Sequence, residues 1–117
     1  MSTAHAESSR SIRDWKWSQT EKTVAHKAFD TALERELVEV IRQTKERASR
    51  ITCAAQAWEL ETWLAERRVE IDRSFDFRYS VLPFVFAGLL RDRRISEVEL
   101  NGLAEEKLVA IRKLAAL

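Results

Sequence analysis

Few side chains in this chain are of the kinds that make or break bonds. In 117 residues there is one cysteine, Cys53, and there are two histidines, His5 and His26. A reactive thiol needs a base or a cation beside it. The flanks of Cys53 are Ala and Thr, so a small buried or half-buried thiol is expected. His26 shares a helix turn with Thr23 and Asp30 and reads as a surface-bonded histidine. His5 lies in a polar stretch and reads as solvated. The chain has no His-Glu-x-x-His, no cysteine pair and no glycine-rich phosphate loop, so no metal and no cofactor are expected. Its carboxylates alternate with Arg and Lys, the pattern of a salt-bridged helix surface rather than of an acid held at raised pKa. The expectation is a protein that is not an enzyme and has no small-molecule substrate.

The four tryptophans carry more information. Trp15 and Trp17 suit an anchor for the N-terminus. Trp58 and Trp63 stand roughly half a turn out of phase on a helix, so one can enter the core while the other faces outward. Trp58 with Arg68 on a similar face has the composition of a protein-binding hot spot. The competing reading makes Trp58 ordinary core. The run Arg91-Asp92-Arg93-Arg94 is short, interrupted by an acid and free of aromatics, and reads as a solvated loop rather than a nucleic-acid contact.

The elements that must position these residues are helical. Two glycines and one proline interrupt a chain that is 33% charged and 45% hydrophobic, which points to an all-α domain. Twenty basic against nineteen acidic residues leave a net charge of +1, too little to attract DNA, RNA or an anionic membrane. A lone cysteine fits a reducing cytoplasm. Residues 1–14 read as a disordered tail with no signal-peptide core, and 15–117 as one domain.

Ser18-Gln19-Thr20-Glu21 forms a capping box, with Trp17 placed to staple onto the turns that follow. Ala25, Phe29, Ala32, Leu33, Leu37, Val40, Ile41, Ala48 and Ile51 then recur at helical spacing. This predicts a helix of roughly 30 residues, more than twice the usual length, with a narrow apolar stripe that suggests a partner such as a second copy. A second helix runs from about Cys53 to Ile71. Asp72 or Ser74 is expected to cap a third, in which Val81 to Leu90 is apolar all round, marking an enclosed helix too short for a membrane span. Pro83 implies a kink there, or a helix that starts near Ser80 with Pro83 in its first turn. Ser96-Glu97-Val98-Glu99, a second capping box, is expected to open a final helix carrying Leu100, Leu103, Lys107, Leu108, Ile111 and Leu114.

Taken together, Trp17-Ser18-Gln19 with Glu21, Ala28-Phe29, Arg35-Glu36-Leu37, Trp58-x-Leu60, Arg68, Glu70-Ile71-Asp72, Asp76, Arg78, Ser80-Val81 and Phe84-Val85-Phe86-Ala87 resemble the fluorescence recovery protein family of cyanobacteria. The resemblance covers about 100 residues. Glu70-Ile71-Asp72, an aromatic, Asp76, Arg78 and the apolar helix form its most specific part, and Trp17, Glu70, Asp72, Asp76 and Arg78 are the signature positions.

The resemblance implies an all-α homodimer without cofactor. Long N-terminal helices would form an extended dimer body (about 15–71), and C-terminal helices a compact head (about 72–117). It also implies binding to the orange carotenoid protein and faster red-to-orange return, which ends photoprotective quenching. The partner-binding residues carried over are Trp58, Glu61, Thr62, Arg68 and Phe84. The dimer interface is expected to use Leu33, Leu37, Ile41, Ala57 and Trp58. Glu61 and Thr62 replace a His-Asp pair usual in the family, Ala57 stands where a larger aliphatic residue would strengthen the dimer waist, and Pro83 replaces a branched aliphatic. These departures fall on the working surfaces, so a second reading keeps the scaffold and changes the protein partner. A small nucleic-acid-binding protein is the third.

Overall fold

The structure, a computed structural model, describes residues 12–117. His5 and most of the expected tail lie outside the described residues. Residues 12–14, which that tail would include, are helical. Four α-helices follow: α1 (Gln19–Ser49), α2 (Ala54–Ser74), α3 (Leu82–Arg91) and α4 (Glu105–Ala115), with a 3-10 turn at Glu97–Leu100. Among the described residues there is no strand beyond one isolated bridge, Asn101 to Leu103. The fold is all-α, as the scarcity of Gly and Pro predicts.

Helix α1 is 31 residues long. It begins where the capping box puts it: the Glu21 amide donates to Ser18 Oγ (3.1 Å) and the Ser18 amide to Glu21 Oε1 (3.0 Å). Its buried residues all lie between Glu21 and Glu36. Ala25, Ala28, Phe29 and Ala32 join Leu82, Phe86, Ala87, Leu89, Ile95, Leu100, Leu103 and Ile111 in one core. The head is therefore completed by α1, and a division at residue 71 would cut through its core. The second half of α1 leaves the head and pairs with α2. The molecule measures 63 × 28 × 21 Å with a radius of gyration of 18.0 Å, against about 13 Å for a compact chain of this length.

Three expectations are corrected. Helix α2 runs through Ser74, so neither Asp72 nor Ser74 caps α3, whose N-cap is Val81 without a side-chain cap bond. Pro83 does fall in the first turn of α3, where a missing N–H is harmless. The Ser96 box opens the 3-10 turn instead of the final helix. The chain then breaks at Gly102 (φ +112°), whose missing Cβ lets it pass Val24, and α4 starts at Glu105. Finally, α3 is not enclosed on every side: Leu82, Pro83, Phe86, Ala87 and Leu89 are buried, but Phe84 is 44% exposed.

Candidate protein-binding face

Helix α2 buries none of its 21 residues. Leu60, Leu64, Arg67 and Ile71 are half-buried on the side that meets α1, and Trp63 lies under the Arg47 guanidinium, 4.2 Å from ring centroid to Cζ. Trp58, on the other side, is 64% exposed. The two tryptophans thus divide as their spacing requires, and the ordinary-core reading of Trp58 fails. Glu61, Thr62 and Arg68 are exposed on the same helix. At 100° and 1.5 Å per residue, Trp58 and Arg68 stand about 80° and about 15 Å apart. Among the described residues Arg68 makes no ion pair, whereas Arg67 is held by Glu36 and Glu70. An exposed ring and an unengaged guanidinium on one outward surface can form an apolar anchor and a charge-assisted contact.

The remaining sequence-derived positions fall into separate groups. Phe84 is exposed on α3, in the head rather than on α2. On α1, Leu37 and Ile41 are exposed and Leu33 is half-buried, and Ala57 of α2 is half-buried. Glu70 pairs with Arg67 at 3.1 Å, and Asp72 is exposed. Asp76 and Arg78 pair with each other at 2.6 Å in the extended link between α2 and α3, and the hydrogen bond from Arg78 holds the Asp76 carboxyl below its usual range.

That link holds a feature that helical reasoning passed over. Phe75, Phe77 and Tyr79 alternate inward and join Trp17 and Phe29 in an aromatic ladder. Trp17–Tyr79, Tyr79–Phe77, Phe77–Phe29 and Phe29–Phe75 lie 5.4, 5.5, 5.0 and 5.5 Å apart. His26 stacks on Phe77 at 4.1 Å. The period of two, Phe-Asp-Phe-Arg-Tyr, was the available signal for an extended segment.

A second polar knot secures the N-terminus. Lys107 is 3% exposed, and its Nζ donates to Glu21 Oε2 and to the Lys16 carbonyl, both at 2.7 Å, with the Trp17 ring 4.7 Å away. The Ala104 amide also donates to Glu21 Oε2. Burial pushes the Glu21 carboxyl up, but the bonds from Lys107, Ala104 and Ser18, with the charge of Lys107, outweigh it and hold it at about 2.

Nothing in this arrangement gathers a nucleophile with a base. Cys53 is exposed at the N-cap of α2, not buried. His26 lies in the first third of α1, and about 35 Å of helix separates it from Cys53. Among the described residues no cluster of three metal-type ligands occurs, and no helix is long and apolar enough to cross a membrane. The basic run is only partly solvated: Arg91 donates to the Leu114 and Ala115 carbonyls at the end of α4, and Arg94 binds Glu36.

The model of the photoprotection regulator fluorescence recovery protein family matches residues 17–115. The fluorescence recovery protein of Synechocystis sp. is 41% identical over 101 residues, 86% of this chain and 93% of that protein. The solved structures of the Fremyella diplosiphon and Synechocystis fluorescence recovery proteins are 38% and 40% identical. Each superposes with a TM-score of 0.83 over 87% of this chain and 100% of the other. The helical scaffold, the aromatic link and the outward face of α2 therefore belong to a member of the fluorescence recovery protein family, regulators of photoprotection.

Proposed function

We propose that this protein is a homodimeric regulator that binds the orange carotenoid protein in the cytoplasm, speeds its red-to-orange return and ends quenching, without catalysis of its own. The observation that carries this reading is Trp58, a large aromatic ring 64% exposed on a helix with no fully buried residue, within a family of photoprotection regulators. A ring of that size left in water gains free energy from a partner, about 1.5–3 kcal/mol on full burial of a large apolar side chain. The physical means is population shift: a regulator that binds the compact form better than the open one pulls the equilibrium toward it. Exposed Leu37 and Ile41 on the half of α1 that leaves the head support a second copy of the chain as the other partner. The test is to mix the protein with photoconverted orange carotenoid protein and follow dark recovery. Unchanged recovery together with no comigration on a sizing column would sink the reading.

A second reading keeps the same face and changes the protein bound. It is favoured by Glu61 and Thr62, which place the carboxylate about 100° around the helix from where the family pattern has its aspartate. Binding to a different protein in the absence of any effect on the carotenoid protein would support it.

A further inference from the structure

A helix that buries none of its residues needs something other than a core to fix its direction. Near the head, that something is one carboxylate. Glu36, in the middle of α1, is 5% exposed. Its Oε1 is ion-paired with Arg67 of α2, and its Oε2 accepts from Arg94 Nε in the turn after α3. Arg67 also reaches Glu70 at 3.1 Å. The Arg94 carbonyl accepts from Arg35 Nη1 at 2.8 Å, and the same Nη1 donates to Glu99 at 2.8 Å. Beside the cluster a cavity of about 300 Å³ lies among Ile71, Ser74, Phe75, Leu89 and Asp92. The joint between α2 and the head is therefore charged and loosely filled, not a packed apolar seam.

Apolar contacts are non-directional and tolerate rotation, whereas a buried carboxylate paired with a guanidinium fixes which side of the helix carrying that guanidinium must face it. Arg67 is nine residues beyond Trp58, which is half a turn out of phase at about 100° per residue. Holding Arg67 inward thus turns Trp58 outward, and it leaves the neighbouring Arg68 on the flank. We propose that Glu36 is the positioning residue of α2: its carboxylate grips Arg67 and Arg94 and so sets the rotation and tilt at which α2 presents Trp58 and Arg68. The geometric part stands alone. Its consequence for binding rests on the proposed function.

The most discriminating variant is Arg67→Met. It releases α2 while Glu36 keeps Arg94, so the head retains a paired carboxylate. Hydrogen exchange by mass spectrometry is expected to show residues 60–74 exchanging about tenfold faster, with α3 and α4 unchanged. Arg67→Lys, which keeps the charge but loses the fork, is expected to fall between Arg67→Met and the unaltered protein. Glu36→Gln is expected to loosen the same segment and also residues 92–95. In dark-recovery assays Arg67→Met is expected to need about tenfold more protein for half-maximal acceleration while reaching the same maximum. Three results would overturn the proposal: unchanged exchange in α2, loss of protection spread equally into the head, or faster exchange in α2 with unaltered half-saturation. If the unaltered protein does not accelerate recovery at all, the functional reading fails, and the exchange result still decides the positioning role.

Discussion

At the scale of single residues, burial separates charges that look alike in the sequence. Glu21 and Glu36 are buried in cation-filled pockets, while Glu39 and Glu46 form surface pairs with Arg42. The Glu21 carboxyl, normally near 4.5, is held at about 2. A depressed carboxylate stabilises the fold fully above its unfolded value and loses that contribution as pH falls through the folded one. Acid should therefore remove on the order of 3 kcal/mol between about 4.5 and about 2. Urea unfolding followed across that range measures it. Glu21→Gln is expected to be less stable by about 2 kcal/mol near neutrality, because it weakens the partner of buried Lys107, and to show a flatter acid limb. On the proposed binding face, Trp58→Ala is expected to weaken capture of the orange carotenoid protein about thirtyfold, ~2 kcal/mol, with thermal stability kept. Titration by fluorescence anisotropy tests this, and an unchanged Kd would remove Trp58 from the interface.

At the scale of elements, the helix starts written in local chemistry were legible and the joints were not. Ser18 and Glu21 satisfy orphan amides within one turn, so their pattern alone locates the start of α1. The Ser96 amide likewise donates to Glu99 Oε1, but the Glu99 amide donates to the Ser96 carbonyl and closes only a 3-10 turn, after which the chain bends at Gly102 to clear Val24. An alanine Cβ at that glycine would stand 2.7 Å from Val24 Cγ2, at φ +112°. Gly102→Ala is accordingly expected to lower stability by about 2 kcal/mol, read by thermal or urea unfolding. The converse holds at Arg93, whose φ of 59° is left-handed in a non-glycine residue. Arg93→Gly is expected to raise stability by about 0.5–1 kcal/mol, and a loss instead would show that the Arg93 side chain is itself needed in the turn. The aromatic link escaped a helical reading because its period is two, and its inward residues meet partners far earlier in the chain, Phe29 and Trp17.

At the scale of the whole molecule, the elongated shape bears on the second copy of the chain. The half of α1 beyond the head and all of α2 protrude with Leu37, Val38, Ile41, Trp58 and Val69 exposed. A stable dimer buries about 800 Å² per partner, which a paired helix arm of this length can provide. With homodimerisation through α1, replacing both Leu37 and Ile41 by Glu is expected to halve the mass measured by light scattering while the head keeps its helicity. An unchanged mass would place the interface elsewhere.

The sequence by itself determined the helical class, the over-long first helix and the opposed tryptophans, since each depends on composition or on spacing within a few turns. The family followed from a resemblance along most of the chain, and for Pro83 the sequence allowed both a kink and a first turn. Only the tertiary structure decided that α1 completes the head core, that Cys53 and Phe84 are exposed, and that Arg91 and Arg94 serve structural bonds. It also decided that Glu36 joins α2 to the head. The reason is common to these: each depends on contacts between residues tens of positions apart, whose meeting is set by how helices pack rather than by any pattern along the chain.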